Sequence, residues 1–449
     1  MERLLLILFI YILMIMLCYI TSPKRILLTP QMGYIVAFVP GLFYALFYVK
    51  KWDLYLSSQT VFVLIVGAIS FVFTSIVIQT LYYKSHISQI RFNNNGVNEI
   101  IISKWKIYIL TIYDIFVCLW SLIYLISKFG NSISSAIYAY RKAYILGEDV
   151  ANLGVILSNV RFISFTLGLI WAYLIVHGII FKYNSHRKIY IFNYCICIIT
   201  DLLSGARGDS LLLFVATFIM MYFLYSMKNS WVSKIGISTM LKIVMIFAII
   251  LIAYQSIGNL LGRESYDSNS DFIAKYLAAE IKNLDVFIRN GKQNTDCSEW
   301  LTLRVIFTNI QEYFGIDLVS DNIYQFGSNR NFLSVNGYNL GNVYSTYFNY
   351  VHDLGSTGAV VFPIIMAATS QLFFWKAIKS SSINRNSNIN IQIIVYSYVY
   401  FTILMSFFSE RFFDYVFNVG FVKRILILYI LRLFMVKSRI YITVGKRKK

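Results

Sequence analysis

The groups in this chain best placed for chemistry are a neighbouring histidine and aspartate, His352 and Asp353. They stand in Tyr350-Val351-His352-Asp353-Leu354-Gly355-Ser356-Thr357-Gly358, directly before a long apolar run. Histidine changes charge near neutral pH, so it can take a proton from a hydroxyl. An adjacent carboxylate can orient it or act as the base itself. Gly355 to Gly358 sits where the next helix should begin. Free N–H groups at a helix N-terminus bind anions, and the helix dipole strengthens the site. Ser356 or Thr357 serves equally well as a plain helix cap.

A second short motif, Gly205-Ala206-Arg207-Gly208-Asp209, fills the tight gap between two apolar runs. The glycines allow a sharp turn and close approach of backbone to a ligand. A guanidinium suits a phosphate or pyrophosphate because it offers paired donors in a fixed fork. The plain reading is an arginine that reaches for the membrane surface. Arg207 stands beside Asp209 at a membrane face where arginine is disfavoured, which makes it a functional candidate. Further candidates for a phosphate or glycan are Arg263, Arg304 and Arg330 in a long polar stretch, and Arg161 at the start of another apolar run. Charge balance alone would also explain any one of them.

These residues need a scaffold, and composition says which kind. The 449-residue chain is 58% hydrophobic and 14% charged, which is too apolar for a soluble fold of that length. Apolar runs of about 18 residues or more recur, and each can cross a bilayer as a helix. The runs are continuous and do not alternate, which excludes a membrane β-barrel. Eleven membrane helices are expected, at roughly 4–20, 33–49, 60–83, 107–127, 157–181, 189–203, 210–227, 241–261, 357–375, 389–409 and 416–436. The expected fold is an all-α polytopic membrane protein, one domain over residues 1–449, with a long, partly helical external loop at 262–355. That loop is the exception in composition: Gly262 to Gly355 holds 11 of the chain's 21 acidic residues and only 7 of its 40 Lys and Arg.

Positive residues orient the helices. The tail carries Lys437, Arg439, Lys446, Arg447, Lys448 and Lys449, and alternate loops before it are basic. The tail is thus cytoplasmic, and loop 262–355 and Arg207 lie outside. The N-terminus also comes out external. The net charge of +19 belongs to these flanking positives, and no soluble basic module exists to bind nucleic acid. Within the loop, Asp271 to Ile288 and Trp300 to Tyr313 show helical spacing of apolar residues, and Asn342 to Val351 reads as a short helix leading to His352. Ser134 to Leu146 reads as a surface helix. GxxxxGK[ST], HExxH, CxxC and GxSxG motifs are all absent, so neither a cofactor nor a metal is expected.

The layout resembles the O-antigen and capsule repeat-unit polymerase (Wzy) family. The likeness rests on Leu203 to Gly208, on Gly341-Asn342-Val343-Tyr344, and on Asp353-Leu354-Gly355-Ser356-Thr357-Gly358, with many helices and one large late loop. Many members have Asp-Phe-Gly where this chain has Asp353-Leu354-Gly355. The resemblance implies a bacterial inner-membrane glycosyltransferase. Its substrate would be an undecaprenyl-pyrophosphate-linked oligosaccharide within the membrane lipid, and a chain-length regulator and a flippase would work beside it. The growing glycan would leave its pyrophosphate and join a new repeat unit on the periplasmic face. Arg207, Arg263 and Arg304 would hold pyrophosphate, and His352 or Asp353 would serve as base or orienting group. Two other readings share the membrane and the substrate. A lipid-linked oligosaccharide flippase usually has two similar halves and short loops, unlike this chain. An O-antigen ligase also uses an external loop, so architecture does not separate it.

Overall fold

A computed structural model describes residues 1–86, 99–130, 132–146, 148, 150, 152–183, 185–229, 231, 256, 269–290, 297–319, 332–383 and 388–436. The first eight helices are α1 (Glu2–Thr21), α2 (Pro30–Phe47), α3 (Ser58–His86), α4 (Lys104–Phe129), α5 (Ile133–Leu146), α6 (Gly154–Ile180), α7 (Arg187–Leu202) and α8 (Gly208–Lys228). The long loop supplies α9 (Asn269–Leu277), α10 (Ala279–Asn290), α11 (Arg304–Phe314) and the strands β1 (Leu333–Val335) and β2 (Tyr338–Gly341). The chain ends with α12 (Tyr347–Ile383), α13 (Ile391–Leu404), α14 (Phe412–Val416) and α15 (Val419–Met435). Among the described residues, helices occupy ten of the eleven positions expected for membrane helices. The expected helix at 241–261 lies outside them. Seven of the described helices are long and apolar enough to cross a membrane. This is a multi-pass helical membrane architecture.

Helix placement follows side-chain character. α6 is apolar around most of its circumference and is buried along most of its length, so it is a central element. α1 and α4 each bury one stripe and expose the rest. α12 packs along α3, α6 packs against α7 and α8, and α13 packs against α12 and α8. α2 begins at Pro30, whose missing N–H costs nothing in a first turn.

The connections gather at two opposite ends. At one end, Leu27 N–H donates to the Tyr222 hydroxyl, Lys228 donates to the Ile180 carbonyl, and Ile102 bridges to Val436. Buried Gln31 donates to Gln79 at 2.7 Å and accepts from Gln371 at 2.8 Å. At the other end lie loop 48–57, the turn at 203–207, the long loop and the turn at 405–411. There Ser57 N–H donates to Asp285 at 2.7 Å, Lys282 donates to the Asp53 carbonyl at 2.6 Å, and Thr346 N–H donates to the Ser406 carbonyl at 2.9 Å.

The long loop does not simply cover that end; parts of it descend into the bundle. A Cβ placed on Gly41 of α2 would lie 2.2 Å from the Leu277 carbonyl oxygen. Gly41 is six residues short of the end of α2, so the α9–α10 elbow sits about 9 Å inside that end. On α3, a Cβ at Gly67 would lie 2.2 Å from the Tyr347 ring, nine residues or about 13 Å below the helix start. Irregular backbone at such depth is tolerated only where protein surrounds it. It is surrounded here: Ala278, Ala279, Leu284, Tyr347 and Tyr350 are all buried.

Three local expectations are refined. The Asp271–Ile288 helix is two helices, broken at Ala278 where the elbow meets Gly41. The helix expected from 300 starts at Arg304. Residues 333–341 form a small antiparallel hairpin, so the fold is helical with one two-stranded exception among the described residues. Its turn, Asn336-Gly337, has positive φ at both residues (49° and 79°), the geometry of a tight hairpin turn.

Candidate functional site

His352 and Asp353 lie on the first turns of α12, before a break at Gly355 (φ 59°, ψ −145°). The break aims the short segment 347–354 differently from the long helix that follows. Gly358 permits the fold-back, because a Cβ there would lie 1.9 Å from the Tyr350 carbonyl oxygen. The roles visible for Gly355 and Gly358 are thus a kink and a close approach.

His352 Nδ1 stands 2.9 Å from Asp353 Oδ1. An ionised carboxylate only accepts, so Nδ1 is the donor and Nε2 carries the ring's lone pair when the ring is neutral. The imidazole is buried beside Phe287 of α10 and Phe348, with ring centroids 6.4 and 6.3 Å away. Asp353 also accepts from Leu301 N–H at 2.8 Å and Thr302 N–H at 2.7 Å. Both its oxygens are thereby engaged, and the side chain is buried. This geometry gives Asp353 an orienting and anchoring place: it ties His352 to the turn that launches α11.

Arg207 ends the α7–α8 turn and is buried. Its Nη2 donates to the Tyr276 hydroxyl at 3.2 Å, and its guanidinium lies 5.9 Å from the Tyr276 ring centroid. Gly205 has φ 66°, and a Cβ there would press on Arg141 and Ile137 of α5. The turn is thus seated on the surface helix, found at Ile133–Leu146. Gly208 shows no such need, because a Cβ there would meet nothing within 4 Å. Asp209, in the first turn of α8, accepts from the Tyr415 hydroxyl at 3.3 Å. That carboxylate pushes the Tyr415 phenol above its ordinary range.

The long-loop segment links the two motifs. Arg207 meets α9 through Tyr276, and His352 meets α10 through Phe287. Arg304 is engaged in an ion pair with Asp414 of α14 at 3.5 Å. Arg161 donates to the Thr200 carbonyl at 2.9 Å, at the end of α7. Arg263 and Arg330 lie outside the described residues. Among those residues no cluster of His, Cys, Asp or Glu could hold a metal ion.

Sequence reasoning passed over several groups at this end. Glu410 is buried, accepts from Phe413 N–H at 2.8 Å and from the Thr346 hydroxyl, and is pushed up to about 7 by burial. Glu280 on α10 is also buried, and neither of its oxygens accepts a hydrogen bond. Arg424 lies inside the last apolar run. The signal that could have found it was the placement itself, since a charge within a membrane helix marks a functional candidate.

No protein-family model, curated protein or solved structure matches this chain.

Proposed function

We propose that this protein is a membrane glycosyltransferase that polymerises lipid-linked oligosaccharide repeat units in the bacterial inner membrane. The observation that carries this reading is the gathering of three elements at one end of the bundle. They are the Arg207 turn, the re-entrant α9–α10 segment, and the His352–Asp353 pair. The basic tail of the sequence and the lysines at the opposite end, such as Lys106 and Lys228, support placing the long-loop end outside.

In this reading His352 Nε2 takes the proton of an acceptor sugar hydroxyl. The hydroxyl oxygen bonds to the anomeric carbon of the growing glycan, and the bond from that carbon to the pyrophosphate oxygen breaks. Undecaprenyl pyrophosphate leaves as the anion, held by Arg207. Asp353 keeps the imidazole in the required tautomer and offsets its charge once protonated, as a carboxylate does for a catalytic histidine elsewhere. General-base assistance of this kind typically contributes about 10²–10⁴-fold.

Deletion of the gene tests the reading against its rivals through the surface polysaccharide profile. A repeat-unit polymerase predicts single repeats exported without long chains. Repeat units stranded inside would identify a flippase instead. Full-length polymer left on the lipid carrier would identify a ligase.

A further inference from the structure

We infer that Arg161, Asp201 and Arg424 form a second site, which binds a phosphate ester carrying a neighbouring hydroxyl group on a membrane-lipid head. The site lies between α6, α7 and α15, and it goes beyond the transferase reading. Three helices bring charged side chains together there without pairing them. The fields of Arg161 and Arg424 both reach the Asp201 carboxylate, as does that of Asp209, yet no ion pair joins Asp201 to either arginine among the described residues. Asp201 is only 9% exposed, and its Oδ2 accepts no hydrogen bond. Arg161 spends Nη2 on the carbonyl of Thr200, the residue before Asp201, and its buried Nη1 has no acceptor. Arg424 has buried Nε and Nη1 donors that are likewise unsatisfied.

The aromatic surroundings say where the donors of Arg424 point. Its guanidinium carbon lies 4.6 Å from the Phe162 centroid, 4.4 Å from Phe165 and 4.8 Å from Tyr398. Three rings thus crowd the guanidinium, and Nε and Nη1 are the donors that remain for a ligand. Phe162 and Phe165 share a turn of α6 with Arg161, so both arginines meet the same turn of that helix. Buried donors without partners are costly, and such groups persist where a ligand satisfies them. The unsatisfied guanidinium donors of Arg161 and Arg424 call for an acceptor, and an anionic oxygen answers a guanidinium best. Asp201 calls for a donor, which a hydroxyl supplies. A phosphate ester of a polyol or a sugar offers both.

Lys423, exposed, donates to Asn159 on α6, and exposed Val155, Ile156, Val422 and Leu426 flank it. Apolar flanks with a cationic rim suit a lipid head at the membrane surface. The head could come from bulk phosphoglycerol lipid or from a lipid-linked sugar phosphate.

The test titrates full-length detergent-purified protein by native mass spectrometry. The probes are phosphatidylglycerol, a polyprenyl-phosphate-linked hexose, and phosphatidylcholine, which has the phosphate but no hydroxyl. One of the first two should bind at least about tenfold tighter than phosphatidylcholine, and the tighter one identifies the source. Arg424→Gln and Arg161→Gln should each weaken that binding about tenfold in folded protein. Asp201→Asn should keep phosphate binding but narrow the preference over phosphatidylcholine, and it stands in if an arginine variant fails to fold. Equal binding of all three lipids, wild-type binding by folded Arg424→Gln, or an unchanged preference in Asp201→Asn would each overturn the site. The commercial lipid probes carry no repeat unit, so failure here leaves the transferase reading untouched.

Discussion

The Asp353 carboxylate accepts the backbone N–H of Leu301 at 2.8 Å, which fastens the returning end of the long loop to the turn that launches α11. Thr302 N–H and His352 Nδ1 complete its set of three donors. One acidic side chain therefore fixes both a loop and the orientation of the imidazole. Asp353→Asn would turn an amide N–H₂ toward a backbone donor and lose a charge-assisted bond. The expected cost is about 1–3 kcal/mol, read as a lower unfolding temperature of purified protein, together with reduced polymer. A variant of wild-type stability would remove the anchoring role.

The two buried glutamates make stability fall as pH rises. Burial pushes Glu410 from an ordinary 4.5 up to about 7, and burial also pushes Glu280 well above its usual range. Between about pH 4.5 and 7 the folded protein then holds a proton at Glu410 that the unfolded chain has released. The Glu410 contribution to stability must decline across that window and level off above it. The loss is on the order of 3 kcal/mol at Glu410. Glu410→Gln, which mimics the protonated acid, should make the decline of the unfolding temperature between pH 5 and 7 shallower, with Glu280 supplying what remains. A wild-type profile that rises over this interval would contradict the assignment.

The two glycines of the Arg207 turn should behave differently. Gly205 has φ 66° and abuts α5, whereas Gly208 has open space at its Cβ position. Gly205→Ala should cost about 1–2 kcal/mol from left-handed strain alone. Gly208→Ala should be close to neutral or mildly stabilising within α8. Thermal unfolding of the pair settles the matter, and equal effects would mean the turn is not built as described.

Much of this was readable in the sequence, for identifiable reasons. Long apolar runs located α1 to α4 within a few residues because length and composition are all that a bilayer demands. Ser134 to Leu146 was readable as a surface helix from its apolar stripe. The Asn336-Gly337 turn was also readable, since that dipeptide favours a tight hairpin, but the surrounding polar stretch masked its strands. The descent of the loop was not readable. Glu280, Lys282, Asn283 and Asp285 look like a solvated face, yet all four are buried. Asp285 is satisfied by Ser57, Thr60 and Arg289, and Asn283 Nδ2 donates to the Val343 carbonyl, partners mostly distant in sequence. Pairing of that kind appears only in three dimensions. In the same way His352 and Asp353 were legible as neighbours, but the grip of Asp353 on residues 301 and 302 was not.

The central claim is that Arg207 and His352 act in glycan transfer at the long-loop end. Its most direct measurement is the surface polysaccharide profile of a deletion strain carrying wild-type, Arg207→Ala, Arg207→Lys or His352→Ala protein at matched membrane levels. The account predicts long polymer from wild type only. Both alanine variants should leave exported single repeats, and Arg207→Lys should recover little, because a point charge does not replace a paired guanidinium fork. Polymer of wild-type length and amount from Arg207→Ala and His352→Ala would contradict it.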